Sequence, residues 1–221
     1  MLVDRTVERN RDLRPFRVAG WLVGTATVQT GDFTFNSGLK SPMKIESDVL
    51  RRPEFAGTHE EIAEDLADLI REKGVKPDVV VGVLTGADSF TRRVADFLGC
   101  EAAARLGNTD TPEKRQLVHG EIIPGQRVVI VEDAFTTGGN TFSTKKQVEA
   151  EGGEVVLAVS IFDYGFPVAD RNFEAAGLPR ASLTKLNDVI SVLHATKHDG
   201  LVLRLREWRD HTVPEFFARQ G

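Results

Sequence analysis

Three short runs of apolar, mostly β-branched residues constrain this chain more than anything else in it: Asp78–Leu84 (DVVVGVL), Arg127–Val131 (RVVIV) and Glu154–Phe162 (EVVLAVSIF). None alternates apolar with polar residues, so each reads as a strand buried on both faces. Helical stretches separate and follow them. A short one passes through Val94, Phe97 and Leu98, one runs from about Thr141 to Glu151, and one holds Phe173–Ala176 and ends at Gly177. Buried strands alternating with amphipathic helices predict an α/β fold, a parallel sheet flanked by helices. Ligands of such open sheets sit beyond the carboxyl ends of the strands.

Ahead of the sheet, Val18, Trp21, Leu22 and Val23 mark an opening helix. Val28 and Phe33/Phe35 flank a Thr30-Gly31-Asp32 turn, which predicts a hairpin. A helix from about Thr58 to Lys73 carries Ile62, Leu66, Leu69 and Ile70 on one face, with Thr58 and Glu61 spaced as a capping box and Gly74 as its stop. Asn187 to Trp208 reads as two helices separated by Asp199-Gly200. There are no repeats and no linkers, and 221 residues at 41% hydrophobic suit one domain over 1–221. The 28 basic and 33 acidic residues give −5, which argues against a protein held on nucleic acid by a basic surface. The single cysteine, Cys100, excludes an intrachain disulfide and a Cys-based zinc cluster, and reads as a small buried hydrophobe. No apolar run approaches the ~18–20 residues of a membrane span. The start, Met1 to Arg14, is charged without an apolar leader. The expectation is a soluble, cytoplasmic protein with no nucleic-acid or membrane partner.

The densest chemistry lies in Val128–Thr141, VVIVEDAFTTGGNT. An apolar strand ends in two acids, Glu132 and Asp133, and a hydroxyl- and glycine-rich turn then opens a helix. Such a helix start offers unpaired N–H groups and a positive dipole end, which suit a phosphate. Two carboxylates cannot share that phosphate without repulsion; they suit the hydroxyls of an attached sugar, or a divalent cation shared with a second phosphate. The string therefore asks for a phosphorylated sugar. It has neither the Gly-Lys-Ser/Thr of a nucleotide P-loop nor the GxGxxG of a dinucleotide fold. A second unusual stretch, Gly107–Gln116 (GNTDTPEKRQ), is too polar to pack into a core and reads as a functional or mobile loop.

The Val128–Thr141 string resembles the phosphoribosyl-pyrophosphate (PRPP) motif of type I phosphoribosyltransferases, and four further stretches narrow the resemblance to orotate phosphoribosyltransferases. Gly31–Pro42 (GDFTFNSGLKSP) is similar to the family's Lys-Ser-Pro segment. Gly82–Ala87 (GVLTGA) stands in the place of its pyrophosphate loop. Ile161–Gly165 (IFDYG) and Arg206–Arg209 (REWR) resemble a bacterial branch. The resemblance implies transfer of ribose 5-phosphate from PRPP to orotate with Mg²⁺ held mainly through PRPP, a homodimer, and a hood built from 1–50 and 183–221. It further implies that Thr136, Thr137, Gly138, Gly139, Asn140 and Thr141 hold the 5-phosphate and that Glu132 and Asp133 meet the ribose hydroxyls. Thr85, Gly86 and Ala87 would meet the pyrophosphate. Lys40, with Ser41 beside it in the Lys-Ser-Pro segment, would sit near the base or pyrophosphate. Lys44 could add charge for an orotate carboxylate. Tyr164 stands where some members read the base with an arginine.

The polar loop departs from the family's Arg-Lys-x-x-Lys-x-His-Gly. Aligned on His119-Gly120 it keeps Lys114 but puts Leu117 where a second lysine is expected; aligned on Gly120 as the glycine beyond the loop, His119 has no counterpart. Asp88-Ser89 departs as well, and reads as an N-cap for the helix after the pyrophosphate loop. Two other readings stay open: transfer to another nitrogenous base, and a PRPP-binding protein that has lost turnover. His194 and His198 have metal-compatible spacing but no third ligand. Phe216-Phe217 packs on a neighbour or closes the cap.

Overall fold

The computed structural model describes residues 11–219; the charged start and the last two residues lie outside it. In chain order, helix α1 (Arg14–Gly24) leads into a hairpin of β1 (Val28–Thr34) and β2 (Lys40–Ile45). Two 3₁₀ turns, Ser47–Arg51 and Pro53–Phe55, then run into α2 (Ala56–Glu72). The sheet follows as β3 (Val79–Leu84), α3 (Asp88–Leu98), β4 (Glu101–Leu106), α4 (Pro112–Arg115), β5 (Arg127–Phe135), α5 (Gly139–Ala150), β6 (Glu154–Asp163), α6 (Pro167–Ala175) and β7 (Arg180–Lys185). Helices α7 (Leu186–Ala195), α8 (Asp199–Glu207) and α9 (Val213–Ala218) finish the chain, with a π turn, Trp208–Thr212, between the last two.

The five strands of the sheet are parallel in the order β4-β3-β5-β6-β7. All six residues of β3 are buried, as its unbroken apolar run requires. Val80, Val129, Val131, Leu157 and Val159 pack on one face in the cluster that includes α1, α2, α3 and α7 residues. Val79, Val81, Ile130 and Ala158 face the other way, towards α5 and α6. From β3 the chain moves outward to β4, then returns to place β5 on the other side of β3. Strand order thus reverses between β3 and β5, the crevice where open α/β sheets bind ligands.

Several local expectations are corrected. Thr30-Gly31-Asp32 is not the hairpin turn: it lies within β1 as a bulge, where the register slips between Thr30 and Phe33. The turn is Phe35–Leu39, closed by Phe35 N to Leu39 O (2.9 Å) and Gly38 N to Phe35 O (2.8 Å). Thr58 does not cap α2, because the preceding 3₁₀ turn carries the chain straight into the helix two residues earlier. Neither Asp88 nor Ser89 caps α3: Ala87 holds the cap position, Asp88 pairs with Arg51, and Ser89 Oγ meets His59 Nε2 at 3.3 Å. The break between α7 and α8 comes before Asp199-Gly200, at Thr196–His198, with Lys197 at φ +61°. Strand β5 also runs on past Glu132 and Asp133 to Phe135.

The hairpin is held over the sheet from two sides. Ile45 N donates to Tyr164 Oη at the end of β6 (3.1 Å), and Trp208 Nε1 donates to Lys40 O (2.7 Å). Phe35, Tyr164, Phe166 and Trp208 pack edge-on and tilted around that junction, with centroids 5.1–6.5 Å apart. Phe217 joins them through Phe166 (5.6 Å).

Candidate active site

Pairing of β5 with β3 ends at Gly82–Val131, whereas pairing with β6 continues to Phe135–Asp163. Glu132 and Asp133 therefore stand level with the last two residues of β3, where the two strands have parted, next to the loop Leu84–Gly86. Two adjoining cavities open there, of 420 Å³ and 210 Å³, and share Asn36, Asn108, Asp133 and Asn140 as walls.

The larger cavity is bounded below by Thr136, Thr137, Gly139 and Asn140, and above by hairpin residues including Phe35, Ser37 and Lys44, with Tyr164 at its side. Gly138 holds the cap position of α5 at φ +89°, a left-handed conformation that favours glycine. A Cβ there would also meet the Phe142 and Phe173 rings at 2.6 and 2.7 Å. The turn is fastened at Thr137, whose carbonyl accepts Asn172 Nδ2 (2.9 Å). Asn140 Oδ1 accepts Asn108 N (3.0 Å), so the polar loop is hooked to the helix start. The first turn of α5 presents its N–H groups and dipole end to this cavity, the arrangement that receives a phosphate.

The smaller cavity lies between Thr85-Gly86, Ser47-Asp48 and Glu132-Asp133, with Glu46 and Lys114 also on its wall. The Leu84–Thr85 peptide is cis. Gly86 admits the Asp133 carboxylate: a Cβ there would stand 2.3 Å from Asp133 Oδ2. Asp133 Oδ1 accepts Ala134 N (2.8 Å), and Oδ2 accepts Ser47 Oγ (2.8 Å). Glu132 is 4% exposed and accepts a hydrogen bond from Thr141 Oγ1 (3.4 Å). Burial, then the charge of Asp133, hold its carboxyl well above the usual carboxylate range. One acid of the pair is thus set up to keep its proton beside the other. Burial likewise pushes the Tyr164 hydroxyl above its ordinary value. Lys44 pairs with Glu46 and lies over the Phe33 ring (5.4 Å).

Other residues singled out from the sequence lie apart or behind the walls. Lys40 and Ser41 line a third cavity of 690 Å³ between the hairpin and Trp208, and Ser41 Oγ donates to Met43 O (2.6 Å). His119 lines none of these cavities but a separate one of 600 Å³ with Arg105, Arg115 and Glu151, its backbone bridged to Ala104. Buried Arg105 holds it there, donating to the carbonyls of His119 and Gly120 (2.7 and 3.0 Å) while paired with Glu151 (2.6 Å). Ala87 and Thr141 are buried behind the cavity walls. Cys100 follows α3 and is half-buried against the core rather than buried, and that burial pushes its thiol up to about 11, away from the thiolate form. His194 meets Asp199 at 3.2 Å, and among the described residues no three His, Cys, Asp or Glu gather to hold a metal. Sequence reasoning missed Asn36, Ser47 and Asn108. Asn36 had a local signal as a polar residue before Ser37-Gly38, and Asn108 lay in the polar loop already singled out, whereas Ser47 had none.

The profile of the phosphoribosyl transferase domain matches residues 55–172. The chain is 30% identical over 194 residues to the orotate phosphoribosyltransferase of Bacillus caldolyticus, covering 86% of this chain and 92% of that one. Among solved structures, UMP synthase of Leishmania donovani superposes with a TM-score of 0.72 at 20% identity, over 87% of this chain and 41% of that one, a likeness of fold. Orotate phosphoribosyltransferase of Mycobacterium tuberculosis, solved with PRPP, gives a TM-score of 0.60 at 25% identity, over 79% of this chain and 99% of that one. Among the described residues, no helix is long and apolar enough to cross a membrane.

Proposed function

The chain belongs to the phosphoribosyltransferase family, in its orotate branch, and on that premise we propose that it transfers ribose 5-phosphate from PRPP to orotate, giving orotidine 5′-phosphate and pyrophosphate. One observation carries the reading: a helix-start phosphate cradle, a strand-end acid pair and the Leu84–Gly86 loop surround two cavities with a common wall. The 5-phosphate rests on Thr136–Asn140, the ribose hydroxyls donate to Asp133, and the pyrophosphate lies along Thr85-Gly86 with Lys114 opposite. The base occupies the space under Phe35, Ile45 and Tyr164, and Lys44, the cation on that wall, faces its carboxylate.

As the ring nitrogen gives up its proton and bonds to C1, the C1–oxygen bond breaks and its electrons leave with pyrophosphate, whose oxygens take up the proton. Positive charge builds on the sugar, and the fixed Asp133 carboxylate offsets it without reorganising. Of the carboxylates lining the small cavity, Glu46 and Asp48 are paired with Lys44 and Arg51, which leaves Asp133 as the hard oxygen donor that fits Mg²⁺ there. Asp133 would hold the ion together with PRPP oxygens, because among the described residues no cluster gathers to bind it unaided. When bound, Mg²⁺ neutralises charge on the leaving diphosphate.

A homodimer, cytoplasmic location and a hood made from the two ends of the chain belong to the same reading. Leu117, Val118 and Ile123 are 48, 36 and 57% exposed, apolar surface that a second copy would cover. A second reading, PRPP binding without turnover, is favoured by Leu117 and by His119, which lines a separate cavity and neither of the two beside the acid pair. Purified protein with PRPP, Mg²⁺ and orotate, followed by loss of orotate absorbance, tests the choice beside calorimetry with PRPP alone. Turnover with orotate and not with uracil supports orotate transfer. Binding without turnover on either base supports the second reading, and no PRPP binding rejects both.

A further inference from the structure

We propose that Ser47 is the positioning residue for Asp133, holding the carboxylate in the rotation that receives the ribose; the inference rests on the PRPP reading of the site. Ser47 opens the 3₁₀ turn after β2 and is 4% exposed. Its Oγ lies 2.8 Å from Asp133 Oδ2 and 3.3 Å from Gly86 O. A hydroxyl has one hydrogen to give, and both neighbours only accept. The nearer, charged oxygen takes it.

With Oδ1 on Ala134 N, the carboxylate is held at both oxygens by different segments, its own strand and the turn leaving the hairpin. Gly86 supplies the room on the third side. Loss of the Ser47 hydroxyl leaves the carboxylate only partners on its own strand, the Ala134 N–H and the neighbouring Glu132 carboxyl, about which it can swing. The hairpin itself stays in place, since Ile45 N to Tyr164, Trp208 to Lys40 O and Arg51 Nη2 to Thr85 O (2.6 Å) fasten it independently. A role in orienting Asp133 therefore separates from a role in tethering the hairpin. The first acts on PRPP alone. The second acts on the base as well, because hairpin residues wall the base cavity.

Ser47→Ala and Ser47→Thr, assayed by steady-state kinetics in both substrates, test this. In Ser47→Ala, kcat/KM for PRPP should fall about ten- to a hundredfold, the scale of one hydrogen bond to a charged group. KM for orotate should stay within about twofold, and Ser47→Thr should restore most of the loss. Should Ser47→Ala fail to fold, Ser47→Cys, similar in shape but a weak donor, carries the same expectation. Unchanged PRPP parameters, or equal losses for both substrates, overturn the proposal while leaving the transferase reading intact. If the wild type binds PRPP without turning over orotate, calorimetric PRPP affinity replaces kcat/KM. A weaker Ser47→Ala then supports the proposal and an equal one overturns it. A wild type that binds no PRPP overturns both.

Discussion

A carboxyl group cut off from water and set beside another acid gives up its proton late, and Glu132 is in that position. Its folded-state pKa lies above the unfolded one, so the native state is penalised as pH rises. Below the ordinary glutamate value of 4.5 both states keep the proton and the penalty is absent. It grows as pH climbs above that value and is complete once pH passes the raised native value. Glu132→Gln removes the penalty. Its melting temperature should exceed wild type at pH 7, with the gap closing as pH falls towards 4.5; a gap independent of pH would contradict the account. Asp133→Asn, by contrast, should fold normally and lose about 10²–10³ in kcat/KM, the scale of a missing charge-stabilising group, measured with circular dichroism alongside kinetics. The acid pair was legible because adjacent carboxylates after an apolar strand and before a glycine turn form a continuous pattern. Ser47 was not, since its partner is 86 residues away and nothing beside it announces the contact. Lys40 stood out as a cation in a motif. At about 3.3 Å per residue, four strand positions separate it from Lys44, and it lines the cavity near Trp208 instead.

The elements read most clearly from sequence are those whose two faces are both covered. Strands β3, β5 and β6 occupy the middle of the sheet and carry unbroken apolar runs. Strands β4 (EAAARL) and β7 (RASLTK) went unread, and they are the sheet's two edges, where one side lacks a neighbour and mixed composition is tolerated. The start of α5 was readable from Gly138-Gly139, and its dependence on glycine is testable. Gly138→Ala forces a side chain into the left-handed region, at about 1–2 kcal/mol, and against two phenylalanine rings. The turn must shift, taking the N–H groups of the phosphate cradle with it. PRPP affinity should drop at least about tenfold, equivalent to ~1.4 kcal/mol, as read by calorimetry. Gly177→Ala, also at positive φ but with open space around it, should weaken stability and leave PRPP affinity unchanged.

Taken as a whole, the molecule is a sheet that builds half of a site and a hairpin that must be brought down to complete it. Nothing local in the hairpin sets that distance; it is set by residues distant in sequence, Tyr164 meeting Ile45 N across 119 positions and Trp208 reaching Lys40 O across 168. Trp208→Phe keeps most of the aromatic packing against Phe35, Tyr164 and Phe166 but removes the indole N–H. The lost hydrogen bond costs about 1 kcal/mol, which for a chain of this size lowers the melting temperature by roughly 2–4 °C. The functional effect should be uneven. The phosphate cradle and Asp133 stand on the sheet, so KM for PRPP should change little, whereas the base cavity has the hairpin as one wall and KM for orotate should rise several-fold. Equal increases in both constants would mean that hairpin and sheet move together, and that the far end of the chain stabilises the whole fold without setting the height of the base cavity.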